Sequence, residues 1–297
     1  MSALARAQDG VTIFLGVIIE AAPFLLLGVL VSQALALLLS GDRVVRWLPR
    51  HRVGSLAAMA GLGALFPVCE CGNVPVARRL VTRGVPAAAA VVFLLSAPAL
   101  NPVVALSTFA AFREHPSVVL YRLGLTFVVA MAVGLLLTWH PRPADLLRRR
   151  GMPSDHEHAT MPTARFRSFA QGTLVEFVEM GSVLVVGAAL AALTQTLVPR
   201  AALLSIGQGP VVSVAAMMAL AVVLSICSTV DAFVALAYAG TFTDGSLMAF
   251  LVFGPMIDIK SLLLMLTVFT AKTVALVAVV VTELVFLLGL VLNYWVR

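Results

Sequence analysis

Phe66-Pro-Val-Cys-Glu-Cys-Gly-Asn73-Val-Pro-Val-Ala77 interrupts one apolar run of this chain, and Leu224-Ser-Ile-Cys-Ser-Thr-Val-Asp231-Ala-Phe-Val-Ala235 interrupts another. Cys69 aligns with Cys227, Asn73 with Asp231 and Ala77 with Ala235, each at an offset of 158 residues. Downstream, Phe93-Leu-Leu-Ser-Ala-Pro98-Ala-Leu-Asn101 pairs with Phe250-Leu-Val-Phe-Gly-Pro255-Met-Ile-Asp258 at an offset of 157. Upstream, Glu20 and Gly28 match Glu179 and Gly187 at 159. The pattern is a duplicated membrane unit whose apolar helices are broken by polar residues. In membrane proteins such breaks, at corresponding places in two halves, point to a transport site.

The composition agrees. Hydrophobic residues make up 61% of the 297, charged residues only 11%, and mean hydropathy is +1.05. A soluble domain carries about 25% charged residues. Apolar runs such as Val11–Ser40, Val118–Trp139, Met180–Val198 and Thr273–Val296 reach the ~20 residues that cross a bilayer. The start of the chain lacks the layout of a removable signal peptide, so the first span is expected to be retained. The net charge of +6 comes from arginines clustered in short segments between apolar runs. That is a topology signal rather than a nucleic-acid footprint. Three cysteines in such a chain do not make a disulfide framework.

Each half holds four apolar blocks: Val11–Ser40, Val53–Pro67, Pro86–Phe112 and Val118–Trp139, then Phe169–Val198, Pro210–Ile226, Leu247–Phe269 and Thr273–Val296. The expected organisation is a first transmembrane repeat over 1–140, a cytoplasmic polar linker over 141–167 and a second repeat over 168–297. Val53–Pro67 is too short to span with ease before the break. Either it continues through the break as a kinked span, giving eight spans and parallel repeats, or it dips in and returns as a re-entrant hairpin. The hairpin leaves three full spans per half, which inverts the second repeat relative to the first. With hairpins and an outside N-terminus, 14 basic residues fall inside and five outside, among them Arg113 and Arg122. The eight-span arrangement splits them 11 to 8. Basic residues favour the inside face, so the fold class is all-α polytopic with two repeats, broken or re-entrant and inverted.

Cys69-Glu70-Cys71 is the most specific constellation. Two thiols one residue apart do not share a helix face, so the backbone is expected to turn there, as Gly72 permits. Thiolates suit soft ions and metalloids; the plainer reading is small buried residues beside a kink. Asn73 and Asp231 stand where N-caps would, with helices starting near Val74 and Ala232. Asn101, before Pro102, is cap-like, while Asp258 and Lys260 sit inside an apolar run. On a helix, residues at i and i+2 do not face each other, so either the helix unwinds there or each finds another partner. If the halves pack about a pseudo-two-fold, Cys69, Glu70, Cys71, Asn73 and Asn101 lie opposite Cys227, Asp231 and Asp258. Glu20 and Glu179 are candidate proton carriers, with a vestibule position as the plainer reading of each. Glu176, one turn earlier, reads as interfacial. His156 and His158 lie in the polar linker and read as solvated, so no metal site is expected. No phosphate loop or Ser/His/Asp arrangement is present, which argues against ATP-driven pumping, and no cofactor is expected.

These motifs resemble a known family, the bacterial permeases grouped as domain of unknown function 318, which includes the organoarsenical efflux permease. The resemblance rests on Pro67-Val-Cys69-Glu-Cys71-Gly-Asn-Val-Pro75-Val-Ala77-Arg, Arg83-Gly-Val-Pro86 and Phe93-Leu-Leu-Ser-Ala-Pro98-Ala-Leu-Asn101-Pro102-Val. It continues in Ser225-Ile-Cys227-Ser, Asp231-Ala-Phe-Val-Ala235 and Phe250-Leu-Val-Phe-Gly-Pro255-Met-Ile-Asp258-Ile-Lys260. It covers nearly the whole chain outside Pro141–Arg167. The family usually has a small residue, typically serine, between the two cysteines, where this chain has Glu70. A carboxylate there favours a cationic substrate or a harder metal. Members are commonly described as eight-span proteins, which disagrees with the hairpin reading.

The expectation is therefore a secondary permease of the bacterial cytoplasmic membrane, not an enzyme. It would move a small, thiol-reactive substrate by alternating access and exchange protons through Glu20, Glu179 or Glu70, with Lys260 in a charge-pairing role. Its partners are the small-molecule or ion substrate and the lipid bilayer, without nucleic acid; oligomerisation is open. The rival reading is a transmembrane thiol-disulfide relay, since a thiolate attacks a disulfide in exchange chemistry.

Overall fold

The protein is seen here as a computed structural model that describes residues 3–38, 48–49, 51–66, 70–139, 146–148, 162–197 and 209–295. Among the described residues the chain forms twelve helices and no strand. The first half contributes α1 (Ala3–Leu38), α2 (Arg52–Leu65), α3 (Glu70–Thr82), α4 (Ala87–Leu100), α5 (Pro102–Ala111) and α6 (Ser117–Thr138). The second contributes α7 (Pro162–Leu197), α8 (Pro210–Leu224), α9 (Asp231–Ala237), α10 (Asp244–Met256), α11 (Ile259–Met265) and α12 (Ala271–Trp295). Among the described residues, six segments are long and apolar enough to cross a bilayer: Gln8–Leu35, Ala87–Ala111, Ser117–Thr138, Phe169–Leu197, Asp244–Met265 and Ala271–Trp295. The chain is a multi-pass helical membrane protein. At 14 and 15 residues, α2 and α8 reach only about 21–23 Å, short of a hydrocarbon core of about 30 Å.

Local chemistry sets where the helices stop. Pro102 has no N–H for the α4 ladder and pushes its predecessor out of the helical region. Asn101 accordingly adopts φ −71°, ψ 153° and caps α5, accepting a bond of 2.9 Å from the Val104 amide. At the matching break, Asp258 caps α11: its Oδ1 accepts from the Ser261 amide at 2.6 Å, and the Ser261 hydroxyl accepts from the Asp258 amide at 3.1 Å. So the chain is unwound at Ile257 and Asp258, just ahead of Lys260 in α11, and the two side chains do meet. Between α3 and α4, Gly84 takes φ 91°, which lets its amide bond the Val81 carbonyl and the Val85 amide the Leu80 carbonyl. This paired closure ends a helix in a left-handed residue, and Pro86 then starts α4.

The two halves repeat one packing scheme. Leu56 of α2 and Val92 of α4 both meet Gly134 of α6, while Gly63 of α2 lies on Ser96 and Ala97 of α4. In the second half, Val214 of α8 and Ala249 of α10 meet Gly289 of α12, and Ala221 lies on Gly254. Rising numbers on α2 meet rising numbers on α4, so these helices run the same way. The tight Gly84 turn makes α3 antiparallel to α4, so α3 heads back towards the end where α2 began. Central α4 and α10 touch each other and are buried along nearly their whole length.

Long helices α1 and α7 lie antiparallel, with Gly10 near Thr196 and Gly172 near Gln33. This pair covers only one flank. Gly28 of α1 rests on the backbone of Gly72 at the start of α3, a contact that leaves no room for a β-carbon, and Gly187 of α7 rests on Lys260 of α11. Consequently α3 is buried from Glu70 to Val81, whereas on its counterpart α9 Phe233 and Leu236 are exposed.

Candidate substrate site

The flank under α1 and α7 brings together the start of α3, the start of α11 and the turn after α8. Lys260 sits in the first turn of α11, where the helix dipole disfavours a cation, and three acceptors compensate. Its Nζ donates to the Ser225 carbonyl at 2.7 Å and lies 3.5 Å from both Glu70 Oε1 and Asp258 Oδ2. The Lys260 charge is also within electrostatic reach of Cys71 and Cys227. All six residues are at most 5% exposed.

Two features make this cluster more than a structural ion pair. First, two carboxylates facing one ammonium carry a formal excess of one negative charge, and Glu70 Oε2 and Asp258 Oδ2 accept no hydrogen bond. Burying unbalanced charge is strongly unfavourable, so the cluster is a candidate functional point. Second, Ser225 holds the left-handed conformation, φ 43°, ψ 45°, among the described residues the one non-glycine with positive φ. That costs about 1–2 kcal/mol and aims the Ser225 carbonyl at Lys260. Backbone strain at a buried polar point is a mark of function. Inside α3, Pro75 has no amide for the Cys71 carbonyl four residues earlier, which leaves the backbone polar beside the thiol.

Two further charge clusters flank this centre. Towards the end of α3, Arg78 donates to Glu179 Oε2 at 2.9 Å and Arg79 lies 3.8 Å from Glu176 Oε2, both acids on α7. Glu176 is buried and also accepts from Gln33 at 2.7 Å and Ser32 at 3.2 Å on α1. On the uncovered flank, Arg122 of α6 grips Asp231 of α9 in a two-pronged pair, Nη1–Oδ1 2.9 Å and Nη2–Oδ2 2.6 Å. The same guanidinium donates to Thr108 Oγ1 at 2.8 Å and to the Ser228 carbonyl at 3.4 Å, and it is wholly buried.

The structure brings Glu70, Asp258 and Lys260 together, with Cys71 beside Glu70 on α3 and Cys227 two residues after Ser225. Asp231 does not face them, because Arg122 claims both of its oxygens. Neither Asn73 nor Asp231 is an N-cap: α3 begins at Glu70, which puts buried Asn73 inside its first turn, and Asp231 is itself the first residue of α9. Asn101 spends its side chain on capping α5 and on the Ala97 carbonyl. Glu179 is paired with Arg78 and 45% exposed, and Glu20 is half-buried on α1, about two turns before the Gly28 contact with α3. Cys69, the linker pair His156 and His158, and most of 141–167 lie outside the described residues.

Sequence reasoning missed Arg122, Arg78, Arg79 and Glu176. It counted the arginines as loop charges and took Glu176 as interfacial. One signal was available: Arg122 lies within the apolar run Val118–Trp139, and an ionisable residue there is a site candidate by default.

A helical membrane protein that buries thiols, carboxylates and a lysine between broken helices is built as a transporter. The chain belongs to a family of predicted permeases, which matches over residues 7–294. It is 42% identical over 278 residues to UPF0718 protein YcgR of Bacillus subtilis (strain 168), covering 92% of this chain and 93% of that protein. It is 36% identical over 263 residues to a Streptococcus mutans protein described as a subunit of a two-component membrane permease complex, covering 88% and 87%. No solved structure matches it.

Proposed function

We propose that the chain is a secondary permease of the bacterial cytoplasmic membrane. It moves a small thiol-reactive species, an organoarsenical or another soft metalloid or metal ion, by alternating access. The observation that carries this is Lys260 held between Glu70 and Asp258 with Cys71 and Cys227 in its field. Sulfur is the ligand class that soft centres select, and the excess negative charge gives the site a reason to admit a cation or proton. Lys260 holds that charge when the site is empty and is displaced as substrate enters. Glu70 is the coupling carboxylate, since it alone of the three candidate glutamates belongs to the cluster.

The topology that goes with this reading has repeats over 1–140 and 168–297 in inverted orientation, each carrying a half-spanning hairpin, α2–α3 and α8–α9. The parallel run of α2 with α4 and of α8 with α10 supports it, as does the antiparallel pairing of α1 with α7. Both ends of the chain then share the outer face, and the linker, with its arginines, lies inside. By analogy with the Streptococcus relative, the chain would also serve as one subunit of a two-component membrane permease complex. A second polypeptide co-purifying from its own host checks that.

The test is uptake of trivalent methylarsenite, compared with inorganic arsenite, into everted vesicles with and without a proton gradient. Saturable, gradient-dependent uptake that is lost in Cys71→Ser and Cys227→Ser supports the reading. Uptake unchanged in both variants removes the thiols from the mechanism.

A further inference from the structure

Both flanking charge clusters join an element of the half-spanning hairpins to a full span, and they lie on opposite sides of the central cluster. Arg78 and Arg79 are more than two turns beyond Glu70, near the end where α3 hands over to α4. They meet α7 at Glu179 and Glu176, about two and three turns to the linker side of Gly187, which rests on Lys260, and they meet the late part of α1. Arg122 lies in the second turn of α6, at the end where α5 hands over to α6, the opposite face. It clamps α9, the returning arm of the other hairpin. The central side chains are closed off between the two clusters, each at most 5% exposed.

We propose that these clusters are the two gates of the transport cycle: Arg79–Glu176 with Arg78–Glu179 closes the linker-side path to the centre, and Arg122–Asp231 closes the path from the opposite face. The proposal rests on the alternating-access reading, and the structure then represents the state with both gates shut. Three observations carry it. Each cluster bridges separate elements, so each can break by moving one element against another without unfolding either. The Arg122 clamp is incomplete in a way that a purely structural pair need not be: Arg122 Nε, Thr126 Oγ1 and Ser228 Oγ are buried without a hydrogen-bond partner. Re-partnering or hydrating these atoms on opening offsets part of the energy lost when the pair separates. Third, α9 is short and exposed on its outer side, while α3 is enclosed. The α9 arm rests on α5 and α10 through buried Ala232 and Ala235 only, so parting Arg122 from Asp231 removes a large share of what holds it.

Gate residues position the path and do not touch substrate in this scheme, so the test reads access and not transport. The buried thiols are the reporters. Labelling of Cys71 and Cys227 by a membrane-impermeant methanethiosulfonate would be followed by peptide mass spectrometry in right-side-out and in everted vesicles. Removing one partner alone strands a buried charge, so each gate is opened by replacing both partners with apolar residues: Arg122→Met with Asp231→Leu, and Arg79→Met with Glu176→Leu. Wild type should label slowly from either face. Opening the Arg122 gate should raise labelling about tenfold or more from the face opposite the linker and leave the linker face unchanged; opening the other gate should do the reverse. Arg122→Lys, which keeps one charged contact, should fall between.

Labelling that stays at the wild-type rate from both faces, or rises equally from both, overturns the gate assignment. So does a rise from the same face in both variants. If the one-sided pattern appears but methylarsenite is not moved, the gates stand and the proposed substrate fails.

Discussion

Replacing Lys260 with methionine removes the one cation from between two buried carboxylates while keeping the volume of the side chain. Glu70, 5% exposed, and Asp258, 1% exposed, then face each other with no counter-charge, and the strained Ser225 carbonyl loses its 2.7 Å donor. Breaking a buried ion pair from one side destabilises proteins by about 3–5 kcal/mol, because the stranded charge remains desolvated. Lys260→Met should lose that much. Glu70→Gln should lose far less, since it leaves Lys260 and Asp258 as a balanced pair. The decisive variant is the double. Adding Glu70→Gln to Lys260→Met leaves a single buried acid instead of two and should recover part of the loss, with a coupling of about 0.5–3 kcal/mol. Equilibrium unfolding of the purified protein in mixed detergent micelles, followed by far-ultraviolet circular dichroism, measures all three. If Lys260→Met is as stable as wild type, or if the double loses the sum of its singles, the three side chains do not form one charged unit.

Three shorter expectations follow from the same geometry. Gly28→Val drives a side chain into the Gly72 backbone and should destabilise by about 1–3 kcal/mol in the same unfolding assay, whereas Gly16→Val, with nothing within 4 Å of the new β-carbon, should be close to neutral. Asn101→Ala removes the α5 cap and should cost about 0.5–2 kcal/mol there, while Asn101→Asp keeps the acceptor and most of the stability. In vesicles, Glu20→Gln should leave gradient-dependent methylarsenite uptake near the wild-type rate, because Glu20 lies about two turns before the Gly28 contact that seats α1 on the start of α3, and Glu70→Gln should abolish the dependence on the gradient.

How far the fold could be read in advance depended on whether a feature is local. The breaks were legible because their causes are chemical and adjacent: Pro102 after Asn101, Gly84 before Pro86, and a polar run too early in a short apolar block. Cap formation by Asn101 and Asp258 follows from the same neighbourhood. The failures were failures of partner choice. Asn73 looks like an N-cap because helices avoid starting before a polar turn, yet α3 begins three residues earlier, where the Gly28–Gly72 contact lets α1 pack down on its first turn. Asp231 was assigned to the centre by alignment with Asn73, and nothing within 100 residues of it indicates that Arg122 binds it. Arg78 and Arg79 look like inside-loop charges to any counting rule, since only the fold reveals Glu176 and Glu179 facing them.

The two halves, alike in their helix packing, do not present equivalent sites. Alignment pairs Glu70 with Ser228, Cys71 with Thr229, Asn101 with Asp258 and Val103 with Lys260. The first copy thus carries its charge at the hairpin tip and the second at the broken span. In the fold a tip from one half meets a broken span from the other: α3 packs on α11, and α9 packs on α5. The crossing collects Glu70, Asp258 and Lys260 at one junction and leaves the other with neutral Asn101 and Val103, so the acid of α9 turns to Arg122 on a neighbouring span. The α1–α7 pair then encloses the charged junction alone. The differences between the halves and the one-sided packing of α1 and α7 select the same flank, which fits the proposal of a substrate at one junction and a clasp at the other.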